Sequence, residues 1–583
     1  MKVLLAAINA KYIHSNLAVY SLLGYAKDYK KHIELAEYTI NNHIEDIMRD
    51  IFNRTPDVLA FSCYIWNIGI IRELIGEIKK VLPNTKIWVG GPEVSYEVER
   101  LMQDNQGIDG VMLGEGEQTF LELMEYFVDG KRDLENILGI AYRGEAKIKI
   151  NKQRPPLPLN DIPFPYEDLD LFENKIIYYE SSRGCPFSCS YCLSSVEKGI
   201  RFRDIELVKK ELQMFIDKKI PQVKFIDRTF NCNHDHAMEI WKYIIEHDNG
   251  VTNFHFEISA DLLKEEELDL LNTMREGLVQ LEIGVQSTNL QTISAINRTM
   301  NLEKLAYGVE RVRQGNNIHQ HLDLIAGLPW EDYESFRLSF NQVYKMKPNQ
   351  LQLGFLKVLK GSPMYEQKKQ YEILYRDYAP YEVLATKWLP YDKVLELKNI
   401  EEMVEVYYNS GQFENSLEFL MHYYESPFEF YKGLGAYTKA NEQNGQQHSR
   451  ITRYYRLRAY VEATKPQLLA PLEELLIYDL YLRENLKSRP DFAKSLSQWK
   501  EAYHEFYKER EEENKYSEHG ILKDYKGFQA RQMARMTHIE PFTYDLQLLL
   551  QGKIEERKHH ILFDYKNVSK LNGNSLAIRL DFV

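Results

Sequence analysis

Across residues 1–130 the apolar positions follow two alternating rhythms. Apolar β-type runs occupy residues 3–8, 33–38, 57–64, 86–89 and 110–113. Between them, apolar residues three and four apart predict amphipathic helices over 15–29, 43–52, 69–81, 95–103 and 118–128. Five strand–helix units of this kind predict an α/β fold, an open, doubly wound parallel sheet with helices on both faces. The rhythm returns over residues 176–360, with strand-like runs at 176–182, 223–227, 254–259, 279–285, 321–326 and 350–358. Six such units predict a partial parallel (β/α)6 barrel, with its reactive groups at the carboxyl ends of the strands. Between the two lies a stiff, helix-excluding stretch carrying Pro155-Pro156-Leu157-Pro158 and Pro163-Phe164-Pro165. Beyond residue 370 the alternation stops. Helical stretches at 395–407, 413–424 and 450–462 follow, and the segments 561–565 and 577–582, flanking Leu571-Asn572-Gly573-Asn574, predict a small terminal hairpin. The expected organisation is therefore a doubly wound domain at 1–145, a linker at 146–175, a barrel at 176–370 and a mainly helical domain at 371–583.

Ligands of an open parallel sheet lie beyond the carboxyl ends of its strands, so the loops there carry the first chemistry. The third strand is followed by Ser62-Cys63-Tyr64-Ile65-Trp66-Asn67, the fourth by Gly90-Gly91-Pro92-Glu93 and the fifth by Gly114-Glu115-Gly116-Glu117. Glycine admits close approach of backbone to a ligand, although the same residues also serve plain turns. The first loop, Asn9-Ala10-Lys11-Tyr12-Ile13-His14, lacks the glycines of a dinucleotide fingerprint, which argues against NAD.

The sharpest signal is Cys185-Pro186-Phe187-Ser188-Cys189-Ser190-Tyr191-Cys192, which follows the first barrel strand. A 4Fe–4S cube takes four ligands. Three cysteines leave one iron open, and an open metal position is where chemistry occurs. Zinc is the alternative, but no fourth cysteine or histidine follows at short spacing.

Composition narrows the setting. The chain has 583 residues, 44% of them hydrophobic, with a net charge of −13. That charge disfavours a general affinity for nucleic acid. Five cysteines, three of them in one loop, make no disulfide framework and fit a reducing, cytoplasmic setting. No apolar run reaches membrane-spanning length. The 40 tyrosines, many beyond residue 360, suit either a binding surface or helical packing.

The C-x-x-x-C-x-x-C triplet, with Tyr191 before the last cysteine, resembles the cluster loop of the radical S-adenosylmethionine (SAM) superfamily. Together with the three preceding loops, the chain is similar to cobalamin-binding radical SAM enzymes that carry a C-terminal domain of unknown function. The resemblance implies three cofactors: a 4Fe–4S cluster on Cys185, Cys189 and Cys192, SAM, and cobalamin. It implies cobalamin contacts from Ser62, Tyr64, Asn67, Gly90, Gly91, Pro92, Gly114, Glu115 and Gly116. Residues 1–150 contain no D-x-H-x-x-G, and His14 and His43 lack that context, so a cofactor without histidine below cobalt is implied. On the SAM side, Asp227 is implied at the amino group, with a helix N-cap as its alternative. Glu257 can accept from ribose hydroxyls. Glu282, Gly284 and Gln286 match the family's E-x-G-x-Q run. Arg298 is placed at the SAM carboxylate, or else on a helix surface. Gly327, with Pro329, shapes the G-L-P-x-E run near the adenine. Cys232 is either a substrate contact or a small buried residue. The implied activity is methyl transfer to an unactivated carbon. One SAM methylates reduced cobalt and a second yields the deoxyadenosyl radical. A non-methylating cyclisation, ring contraction or oxidation shares every motif, and an inactive cofactor-sensing protein is the third reading. The implied partners are a small-molecule or peptide substrate and an electron donor such as flavodoxin or ferredoxin, with neither membrane nor nucleic acid.

Overall fold

The computed structural model describes residues 1–196, 199–441, 449–516 and 521–580. Met1–Phe336 with Gly354–Tyr391 form one compact unit, and Arg337–Leu353 with Asp392–Val583 form a second.

The first sheet of the larger unit contains β1 (Val3–Asn9), β2 (Ile33–Thr39), β3 (Val58–Ser62), β4 (Lys86–Gly90), β5 (Gly110–Met112), β6 (Ile140–Arg143) and β7 (Ile148–Ile150). Their spatial order is β2-β1-β3-β4-β5-β6-β7, with the first five strands parallel. Alternate residues of β1 show why these strands read as continuous apolar runs. Leu4, Ala6 and Ile8 pack with Ile47, Ile51, Ile71 and Leu74 on one face, while Val3, Leu5 and Ala7 pack with Val19, Phe120 and Leu123 on the other. Burial on both faces is the mark of a parallel sheet covered by helices. The strand order reverses between β1 and β3, and a crevice opens at such a switch point. β6 and β7 add antiparallel strands at the edge beside β5. The sequence pattern showed neither, because runs of three and four residues are too short to display a period of two.

The second sheet contains β8 (Ile177–Tyr179), β11 (Gln222–Phe225), β12 (Asn253–Ile258), β13 (Val279–Gln286), β14 (His319–Ala326) and β15 (Gln350–Phe355), arranged in chain order. A short antiparallel pair, β9 (Ser182–Cys185) and β10 (Gly199–Phe202), follows β8. In-order parallel strands make the expected partial barrel. Its two faces differ chemically. Along β12, Phe254, Phe256 and Ile258 are buried with the apolar layer, while His255 and Glu257 alternate with them. Along β13, Val279, Leu281, Ile283 and Val285 are buried, and Gln280, Glu282, Gly284 and Gln286 alternate. One face of the barrel sheet is thus polar, which a purely structural layer would not require.

The second unit contains helices Glu414–Met421, Pro427–Asn441, Arg450–Thr464 and Leu469–Arg483, followed by an antiparallel sheet of Thr537–Tyr544, Glu556–Val568 and Ser575–Leu580. Tyr407, Tyr431, Tyr454 and Tyr481 are buried among these helices, so the tyrosine excess serves packing here. The terminal hairpin is present in the pairing of Phe563 with Ala577, with residues 581 and 582 of its expected second strand lying outside the described residues. The third strand was not legible in sequence because Pro541 interrupts it. Thr537–Tyr544 is an edge strand, where proline is tolerated.

Candidate active site

The loops after β3, β4 and β5 lie side by side, as the order of the sheet requires. Gly91 adopts φ +115°, and a Cβ there would lie 2.5 Å from the carbonyl oxygen of Cys63, so only glycine lets these two loops pack. Gly114 is at φ +72° with nothing within 4 Å of a Cβ, an open backbone facing free space. Tyr64 stacks on Trp66 with ring centroids 4.4 Å apart. Asn67 does a different job from the one its motif implied. It is fully buried, its Nδ2 donates to the carbonyls of Ile8 and Ser62, and its Oδ1 accepts from the Tyr64 N–H. Asn67 therefore shapes the loop rather than facing a ligand. Ser62 accepts at Oγ from Asn16, which ties it to the next loop. His14 turns toward the barrel edge, where its Nδ1 lies 2.8 Å from the Tyr178 hydroxyl. His43 stands at the N-cap position of the helix Ile44–Arg54 without a side-chain capping hydrogen bond.

The cysteine loop is held at several points. The Ser190 N–H donates to the Ile296 carbonyl, the Met364 N–H to the Ser190 carbonyl, and Asn297 Nδ2 to the Ser188 carbonyl. All three cysteines are free thiols. Arg298 sits on this loop. Its guanidinium lies 3.8 Å from Cys189 Sγ and 3.3 Å from the Tyr191 hydroxyl, and it donates to the Gly284 carbonyl. Burial pushes the Cys189 thiol up, and Arg298 beside it opposes that shift. Arg298 is therefore not a surface residue, and its Nε is buried without a hydrogen-bond partner among the described residues. Its guanidinium is the cation beside the Cys189 sulfur. Cys232 lies in the turn Phe230–Cys232 after β11, half-buried beside Cys185, with its thiol pushed up to about 11 by burial and by that neighbour.

Arg183, two residues before Cys185, joins the two halves of the site. Its guanidinium lies 3.3 Å from Glu115, 3.0 Å from Glu117 and 2.7 Å from Glu180. Glu115 also binds Arg201 and accepts from the Leu157 N–H. Although burial opposes it, Arg201 and Arg183 hold the Glu115 carboxyl below its ordinary range. Glu115 is thus an anchor between the loop after β5, the proline-rich stretch and the cysteine hairpin. Sequence reasoning missed Arg183. Its only signal was its place directly before Gly184-Cys185. Around this anchor lies a cavity of about 610 Å³, lined by Tyr64, Gly91, Pro92 and Gly114 on one side and by Gly184 and Leu193 on the other.

The remaining residues sit on the barrel strands and the loops after them. Asp227 is 1% exposed, and both of its oxygens are engaged. It accepts from the Ser181 N–H at 3.0 Å and from the Ser181 and Ser182 hydroxyls at 2.6 Å. It is neither a helix N-cap nor open to a ligand, but fixes the strand that leads into the cysteine loop. Burial pushes it up to about 6, against the pull of those donors. An unfolded aspartate ionises near pH 4. Between about pH 4 and 6 the unfolded chain therefore loses its proton first, and stability falls as pH rises, by about 3 kcal/mol in all. We expect the stability difference between the native chain and Asp227→Asn to change by that order between pH 4.5 and 7. Thermal melts of both at the two pH values would show it. A pH-independent difference would refute the assignment. Glu257, pushed up to about 7 by burial and by Glu282, borders the polar barrel face. Glu282 is engaged by Lys224 at 2.9 Å and lies 3.1 Å from His255. Gln286 has φ +70°. Its side chain lies against Gly284, where a Cβ would come within 2.3 Å of it. Gly327 (φ +87°) faces Val383.

Three family models match this chain in tandem: "B12 binding domain" over residues 3–124, "Radical SAM superfamily" over 179–343 and "Protein of unknown function (DUF4080)" over 369–563. The chain belongs to the cobalamin-binding radical SAM proteins. The cofactors of that family are cobalamin, a 4Fe–4S cluster and SAM, and the glycine loops and the free cysteine triplet fit them. Among relatives, an uncharacterized methyltransferase of Pyrococcus horikoshii is 26% identical over 61% of this chain and 77% of its own. The cobalamin-dependent radical SAM methyltransferase TokK of Streptomyces tokunonensis is 26% identical over 48% of this chain, which spans 44% of TokK. The solved structure of the cobalamin-dependent SAM radical enzyme OxsB with aqua-cobalamin has the same fold, with a TM-score of 0.58 at 15% identity, over 82% of this chain and 80% of that one. Among the described residues, no helix is long and apolar enough to cross a membrane.

Proposed function

We propose that this protein is a cobalamin-dependent radical SAM methyltransferase acting at an unactivated carbon. The single observation that supports the reading most is the shared cavity, onto which both the glycine loops and the cysteine hairpin open. When bound, the cofactors supply a methyl group and a carbon-centred radical from SAM. The chain's own residues then have separable tasks. Cys185, Cys189 and Cys192 hold the cluster, and Arg298 neutralises charge at Cys189. Tyr64, Gly91, Pro92 and Gly114 form the cobalamin wall, joined by Gly90 and Gly116. Glu257, Gln286 and Gly327 border the SAM side. Arg183 with Glu115 and Glu117 fixes the two walls relative to one another, which sets the orientation of reacting groups. A one-electron donor of the flavodoxin or ferredoxin class completes the system.

The test is an anaerobic assay of the reconstituted, cobalamin-loaded chain with SAM and a strong reductant. Formation of S-adenosylhomocysteine together with 5′-deoxyadenosine is the expected result. Deoxyadenosine without S-adenosylhomocysteine would overturn methyl transfer in favour of cyclisation, ring contraction or oxidation. Absence of both would point to a cofactor-sensing protein.

A further inference from the structure

The polar barrel face holds a set of donors that the proposed function leaves without a task, including Glu282 of the E-x-G-x-Q run. Glu282 on β13 and His321 and Asp323 on β14 each offer one ligand atom, and the three atoms lie within 4.8 Å of one another. His321 Nε2 lies 2.9 Å from Asp323 Oδ1, and His255 Nε2 on β12 lies 3.1 Å from Glu282 Oε2. Neither contact has hydrogen-bond alignment. Nε2 of His255, Nε2 of His321 and Asp323 Oδ1 are buried without a hydrogen-bond partner among the described residues. Both histidines are more than nine-tenths buried, at 7% exposure each.

Buried polar atoms ordinarily find partners. Groups this close without hydrogen-bond alignment leave those atoms open to a common partner. Nitrogen and oxygen ligands sit about 2.0–2.2 Å from a zinc-sized ion, so two on one tetrahedral ion lie about 3.3–3.6 Å apart, a spacing that a small outward turn of either close pair would reach. Parallel pairing places Glu257 beside Glu282 and Glu282 beside His321, so the sheet itself sets the spacing. Charge favours a cation as well. The carboxylates of Glu257, Glu282 and Asp323 outnumber the nearby Lys224 and Arg228. Lys224 contacts only Oε2 of Glu282.

We propose that Glu282, His321 and Asp323 bind a divalent first-row metal ion inside the barrel, with His255 as the adjacent donor. A nitrogen–oxygen set without thiolate suits zinc, manganese or ferrous iron. This set contains no cysteine, and its ion would tie β13 to β14.

The test uses the full chain with its cluster reconstituted, so that Cys185, Cys189 and Cys192 are occupied, and zinc(II) as the probe. The expected result is one zinc per chain retained through gel filtration, with nitrogen and oxygen only in its first shell by X-ray absorption. His321→Gln and Asp323→Asn should each weaken binding at least tenfold, with cluster iron and circular dichroism unchanged to show that the variants fold. No retained zinc in the native chain, sulfur scattering around the zinc, or equal affinity in folded variants would overturn the proposal.

Discussion

A Cys189→Ser chain, reconstituted with iron and sulfide, is expected to lose its cluster absorbance and to form no detectable 5′-deoxyadenosine from SAM. The reason is ligand arithmetic: a cube on three thiolates has no spare protein ligand, and two do not retain it. Cys189 is also the most deeply placed of the three, with Arg298 against its sulfur. Cobalamin binding should survive, because Tyr64, Gly91 and Gly114 belong to loops of the other sheet. Absorbance spectra and cofactor stoichiometry after desalting would read both quantities. A cluster that persists, or cobalamin lost along with it, would defeat the assignment of separate cofactor walls.

Arg183→Met is expected to destabilise the larger unit by about 3–5 kcal/mol, the scale seen when one partner of a buried ion pair is removed. The guanidinium is 19% exposed and faces three carboxylates, of Glu115, Glu117 and Glu180. Glu115 keeps Arg201 in the variant, but Glu117 and Glu180 lose their nearest cation. The effect should reach function too, because Arg183 ties the loop after β5 to the segment entering Cys185. We expect cobalamin and cluster each to bind while the yield of S-adenosylhomocysteine falls relative to deoxyadenosine. Arg183→Lys should recover part of the stability and less of the product ratio, since a lysine keeps the charge but loses the fork. Denaturant melts and product ratios would check this. A loss below about 1 kcal/mol would show that the network is not buried enough to matter.

Several site residues were legible as positions but not as roles. Asn67, Glu115, Asp227 and Arg298 each lie where the motifs put the site, yet they are engaged by neighbours: Asn67 by Ile8 and Ser62, Glu115 by two arginines, Asp227 by Ser181 and Ser182, and the two terminal nitrogens of Arg298 by the cysteine loop and Gly284. A motif fixes which residue type stands at a strand end. It does not fix whether that side chain meets a ligand or another loop, because the partner comes from a distant part of the chain. Arg183 was missed for the same reason, since two of its three carboxylates lie more than sixty positions away.

The sequence by itself determined the two strand–helix rhythms, the loops at the strand ends and the cysteine triplet. Each depends on local periodicity or on spacing within one loop, and such signals survive without knowledge of the fold. Only the tertiary structure decided three further things. It set the strand order that brings the glycine loops together, since order depends on crossovers and not on the strands. It placed the Arg183 anchor, since ion pairs between loops require their approach in space. It gathered Glu282, His321 and Asp323 on one polar barrel face, since parallel pairing sets their register. In β12, β13 and β14 the alternation of polar and apolar residues was visible in the sequence, but which face it served depended on the closure of the sheet.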